Sequence, residues 1–172
     1  MKKIILLGYM GSGKSVVARI LHHQTKLPSI DLDNFIEKKA GASVSHIFKN
    51  KGEIFFRKLE RSCLEEVIAA PGNAIISLGG GTPCYSGNHE FLQNESVVSF
   101  YLRAKPAALA QRLADEIDSR PLLDEKVGEA LEEFIAKHLF DRSFYYNQAH
   151  HKIDTDNSTP EEVAAKILRL LA

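Results

Sequence analysis

The chain has 172 residues, with 22 lysines and arginines against 22 aspartates and glutamates, a formal net charge of zero. Its 44% hydrophobic and 26% charged residues are the make-up of an ordinary folded domain that buries a core without disulfide staples. This excludes a disordered chain, and the charge balance argues against a generic nucleic-acid or anionic-membrane binder, which needs a marked basic excess. Two cysteines, Cys63 and Cys84, supply neither a disulfide framework nor metal-ligand spacing, so a reducing cytoplasm is the expected compartment.

The apolar run Ile4 to Leu7 predicts a buried strand over 3–7. It is not read as a secretory leader, because the run stops at Gly8 and a glycine-rich loop follows where a small-residue cleavage site would stand. No stretch approaches the roughly 20 apolar residues of a membrane span, so no membrane association is expected. Next comes Gly8-Tyr9-Met10-Gly11-Ser12-Gly13-Lys14-Ser15, a complete GxxxxGKS loop between that strand and a helix predicted over 13–25. Its backbone N–H groups converge on phosphate oxygens, and the helix adds its positive end. Lys14 reaches the β- and γ-phosphates, and Ser15 offers a hydroxyl to Mg²⁺. The loop therefore predicts a nucleoside triphosphate site.

A strand over 28–31 ends at Asp31, with Asp33 two residues on. In an open α/β sheet, ligands bind beyond the carboxyl ends of the strands. Alternation in an extended chain would put both carboxylates on one side, one for the metal shell and one for a substrate hydroxyl. The competing reading makes Asp33 a cap for a helix starting near Asn34. Helices follow over 34–40, 44–50 and 53–70. The last holds Arg57 and Glu60 at i, i+3, either a solvated ion pair or a guanidinium aimed at an anionic substrate. A strand over 74–78 runs into Gly79-Gly80-Gly81, three glycines that permit close backbone approach to a ligand.

Beyond a strand over 97–102 and a helix over 106–115, the polar stretch up to Val127 contains Arg120-Pro121 and suits a lid. A helix over 127–146 and a strand over 150–155 complete the alternation. The last helix, 160–171, has Thr159 as cap, Pro160 in its first turn and Glu162 to close a capping box. Val163, Ile167 and Leu170 form its core stripe. Strand–helix alternation predicts an α/β fold, a parallel sheet with helices on both faces. A regulatory GTPase is disfavoured, since no Asp-x-x-Gly segment occurs.

The order GxMGSGKS, DLD, FRKLE, SLGGG, RPLL and a late arginine before Tyr-Tyr resembles the shikimate kinase family over nearly the whole chain. The resemblance implies a P-loop nucleoside-monophosphate-kinase-like three-layer fold with a five-stranded parallel sheet. It implies one domain over 1–172, with a helical substrate-binding insertion at about 32–62 and a lid at about 112–124. The implied reaction is ATP-dependent phosphorylation of the 3-hydroxyl of shikimate, giving 3-phosphoshikimate and ADP, with Mg²⁺ as cofactor. Carried over, Gly11, Ser12, Gly13, Lys14, Ser15 and Val16 resemble the ATP loop, and Ser15 and Asp31 the metal ligands. Lys14, Asp33 and Arg120 resemble the catalytic groups. Arg57 and Arg142 resemble the carboxylate clamp, Gly79, Gly80 and Gly81 the turn against the ring, and Phe48 and Phe56 the apolar walls. The segment 156–160, ending at Pro160, resembles the adenine-side loop, with Arg112 over the other face of the base. The run Ser-Phe-Tyr-Tyr after Arg142 departs from the family pattern. A kinase of gluconate or of a nucleotide, or a non-catalytic nucleotide-binding protein, remains as the alternative. A monomer is the default state.

Overall fold

The computed structural model describes residues 2–114 and 129–172; Arg120 and most of the expected lid lie outside the described residues. Five parallel strands form one sheet in the order β2-β3-β1-β4-β5. They are β1 (Lys3–Leu7), β2 (Ser29–Asp31), β3 (Ala74–Ser77), β4 (Val97–Arg103) and β5 (His151–Asp154). Among the described residues the α-helices are α1 (Lys14–Thr25), α2 (Leu32–Ala40), α3 (Val44–Ala69), α4 (Pro106–Ala114), α5 (Glu129–Tyr146) and α6 (Pro160–Leu171).

Every residue of β1 is buried, including Lys3, whose ammonium donates to the carbonyls of Ala70 at 2.8 Å and Gly72 at 2.7 Å. A charged end can be buried there because backbone oxygens replace its water. Alternation along the central strands splits the core. Ile5, Leu7 and Ile76 pack with Leu32, Ile36, Phe56 and Leu64 on one face, and Ile4, Leu6 and Ile75 with Val17, Leu21, Val163 and Ile167 on the other. A third cluster joins Tyr9 to Leu109 and Leu113 of α4 and to Leu131 and Ile135 of α5, so the phosphate loop rests on both helices.

Two sequence expectations change. Asp33 is not on an extended segment: α2 begins at Leu32, and Asp31, not Asp33, caps it by accepting from the N–H of Asn34 at 3.0 Å. Leu170 leaves the core stripe and is exposed, because the last turn of α6 packs against the core cluster through Leu168 and Leu171 instead. The two helices expected over 44–50 and 53–70 are present as the two halves of α3, which meet at Gly52 with φ 80°, ψ 170°. The capping box at Thr159 and Glu162 is formed as expected.

Candidate active site

The phosphate loop begins where β1 leaves the sheet. At Gly8 the backbone has φ +148° and a Cβ would stand 2.6 Å from the Leu102 carbonyl, so no larger residue fits. Gly13 enters α1 in the left-handed conformation, φ 94°, with no side chain capping the helix. The first N–H groups of α1 are thus left for an anion, backed by the helix dipole. Lys14 folds back over the loop and donates to the carbonyls of Gly8 at 2.8 Å and Tyr9 at 2.9 Å.

A cleft of about 480 Å³ opens beside this loop, at the carboxyl ends of β1, β2 and β3. Gly11, Lys14, Ser15, Val16, Asp31, Asp33, Gly79, Gly80 and Arg112 line it. Burial pushes the Asp33 carboxyl up to about 6, helped by the negative charges of Asp31 and Glu60 and opposed by Lys14. Such a group accepts a proton near neutral pH. Ser77, which sequence reasoning passed over as strand interior, also lines the cleft; its Oγ is buried with no hydrogen-bond partner. It lies in register with Asp31 across β2 and β3. Two hydroxyls and a carboxylate at one cleft form a hard oxygen set that suits Mg²⁺, which takes few protein ligands and completes its shell with water and phosphate. Among the described residues, no group of three or more histidine, cysteine or acidic side chains is placed to hold a metal.

A second cavity of about 250 Å³ adjoins the first, lined by Gly11, Ser12, Gly13, Arg112, Thr155, Ser158 and Pro160. Arg112, in α4, spans its rim: it donates to the Gly11 carbonyl at 3.2 Å and to the Thr155 carbonyl at 2.8 Å. The phosphate loop and the segment after β5 are thereby tied together.

The turn after β3 meets three side chains in succession. A Cβ on Gly79 would stand 3.1 Å from an Asp33 carboxylate oxygen, one on Gly80 3.3 Å from Arg142 Nη1, and one on Gly81 3.1 Å from Arg57 Nη2. These glycines are needed for close approach, since none has a positive φ. Arg57 pairs with the buried Glu60 at 2.9 Å and lies 3.8 Å from the centre of the Tyr85 ring. Arg142 faces the Tyr9 ring at 5.3 Å, and its neighbour Tyr146 donates from its hydroxyl to the Gly80 carbonyl at 2.6 Å. Phe48 and Phe56 are brought together, ring centres 4.5 Å apart, but neither lines the cleft; Phe56 is a core residue that backs Arg57.

A phosphate-cradling loop that feeds a helix from the central strand of a β2-β3-β1-β4-β5 parallel sheet is the architecture of the P-loop kinases. Comparison with known proteins narrows the class. The family profile described as shikimate kinase matches residues 10–172, and the chain belongs to the shikimate kinase family. It is 52% identical to a shikimate kinase of Flavobacterium johnsoniae over 172 residues, 100% of both chains. Among solved structures, a shikimate kinase from Bacteroides thetaiotaomicron superposes with a TM-score of 0.90 at 34% identity, covering 99% of this chain and 98% of that one. A shikimate kinase from Acinetobacter baumannii, solved in complex with shikimate, gives 0.85 at 32% identity, covering 99% and 93%.

Proposed function

We propose that the cleft transfers the γ-phosphoryl group of ATP to the 3-hydroxyl of shikimate, yielding 3-phosphoshikimate and ADP. The observation that carries this reading is the Gly79–Gly81 turn, which meets an acceptor carboxylate and two guanidinium groups at three successive positions. A hydroxylated acid needs that combination: Asp33 to accept from the reacting hydroxyl, and Arg57 and Arg142 to fork onto the carboxylate. Gly11 to Val16 bind the phosphates, Lys14 meets the transferring group, and the cavity between Arg112 and Pro160 takes the adenine. Ser15 and Asp31 would hold Mg²⁺, which neutralises charge on the phosphates when bound. Arg120 is assigned to the phosphoryl group from the lid at 112–124, and 32–62 to the substrate-binding insertion of a single domain. The protein works in this reading as a cytoplasmic monomer without nucleic-acid or membrane partners. Among the described residues, no helix is long and apolar enough to cross a membrane.

The experiment is ADP release from ATP and magnesium with and without shikimate, using the intact chain and Lys14→Ala. Release should depend on shikimate and be lost in the folded Lys14→Ala variant. ADP release indifferent to shikimate, or full turnover in that variant, overturns the reading.

A further inference from the structure

Glu60 is 2% exposed and its two carboxylate oxygens have different partners. Oε2 pairs with Arg57 Nη1 at 2.9 Å, and Oε1 accepts the hydroxyl proton of Thr82 at 2.7 Å. Thr82 is itself fully buried. Its N–H donates to the Gly79 carbonyl at 3.1 Å, and its own carbonyl accepts from Asn88 Nδ2 at 2.9 Å, another fully buried side chain. A continuous polar chain therefore runs from Asn88 through Thr82 and Glu60 to the guanidinium of Arg57. It ties the arginine to the same glycine turn that approaches Asp33 and Arg142.

From this arrangement we propose that Thr82 is a positioning residue that determines affinity for the substrate acid by fixing the orientation of Glu60 and, through it, Arg57. A hydroxyl has one proton to give, and this one goes to the oxygen of Glu60 that Arg57 does not use. With both oxygens engaged, the buried carboxylate keeps one orientation and presents Oε2 to the guanidinium. Valine has the shape of threonine but no donor, so Oε1 would be left buried and unsatisfied, and the carboxylate would turn toward Arg57 or take up a proton. Either response moves or slackens the arginine. The inference rests on the reading that Arg57 binds the substrate carboxylate.

The test is calorimetric titration of shikimate, and separately of an ATP analogue with magnesium, into the wild-type chain, Thr82→Val, Thr82→Ser and Arg57→Ala. Thr82→Val should weaken shikimate binding about tenfold, the order expected when a buried acceptor loses its donor. Nucleotide affinity should hold, and Thr82→Ser, which keeps the hydroxyl, should restore shikimate affinity. A serine variant as weak as the valine one, an equal loss for nucleotide, or a valine variant with wild-type affinity overturns the proposal. If the valine variant does not fold, Thr82→Ala is measured in its place against the same criteria. Unchanged shikimate affinity in Arg57→Ala would instead refute the assignment of Arg57, which separates the two failures.

Discussion

A half-buried carboxyl group beside Asp31 and Glu60 takes up its proton more readily than one in solution, and Asp33 is such a group, raised to about 6. Only its ionised form can accept from a substrate hydroxyl with full strength. With no nucleotide present, shikimate affinity should therefore fall as pH drops through 6, by about tenfold at pH 5, where roughly one carboxyl in eleven is ionised. Calorimetry between pH 5 and 8 measures this, and Asp33→Asn should flatten the profile; a profile equally steep in that variant would remove Asp33 from the site. The sign for stability is opposite. A native pKa above the ordinary 3.8 means that the folded chain holds the proton while the unfolded chain has released it. The contribution to stability is complete below 3.8 and gone above about 6, so the Asp33→Asn variant should melt higher than the wild type at pH 7.5. In its proposed role, Asp33 would serve at a cost to the stability of the fold at neutral pH.

The glycine turn after β3 shows how one short element arranges several side chains. Gly81 has φ −87°, ψ −17°, an ordinary conformation for alanine, so Gly81→Ala leaves the backbone unstrained while its methyl displaces the Arg57 guanidinium. Shikimate affinity should drop by about tenfold, equivalent to one lost hydrogen bond to a charged group, with little change in Tm. Unchanged affinity in a folded Gly81→Ala protein would show that the arginine has room to spare. Strand positions, the break at Gly52 and the capping box of α6 were legible in the sequence, because each is written in local periodicity or in a local φ requirement. So were the phosphate loop and the aspartates near the second strand. The short 3₁₀ turns at Thr82–Cys84 and Asn88–Gln93 were not, and neither was the bond from Thr82 to Glu60, across 22 positions of sequence. Leu170 shares a helical face with Val163, but periodicity says nothing about where the sheet ends, so its exposure needed the fold. Asp33 was misplaced for a related reason: the Asp31 cap starts α2 at Leu32, two residues before the start expected near Asn34, so the chain is already helical at Asp33.

At the scale of the molecule, α5 joins two packing clusters: Leu131 and Ile135 pack with Tyr9, and Tyr146 packs with Phe56 and Leu64. The phosphate loop sits on α4 and α5 through the Tyr9 cluster, whereas Arg57 belongs to α3 and packs with Phe56 on the face of the sheet that α2 and α3 cover. In the proposed reading the acid is held by Arg57 of α3 and Arg142 of α5 and the nucleotide by the phosphate loop, so the two ligands draw on partly different packing units. Each ligand stabilises the whole fold by the free energy of its own binding, about 2.7 kcal/mol at 100 times its Kd. For a chain of this size that raises Tm by roughly 5–11 °C. Arg57→Lys keeps the charge but loses the two-pronged donor, which should weaken shikimate binding by about 10- to 150-fold. At the same shikimate concentration the stabilisation then falls to about 0.3–1.4 kcal/mol, a shift of roughly 1–6 °C. The nucleotide shift should stay as in the wild type, because Arg57 is not among the residues lining either cavity beside the phosphate loop. Thermal melts of both proteins with each ligand alone measure all four shifts. Equal loss of both shifts in Arg57→Lys would mean that α3 and the phosphate loop respond as one body, and that Arg57 supports the fold of the cleft instead of reading the acid.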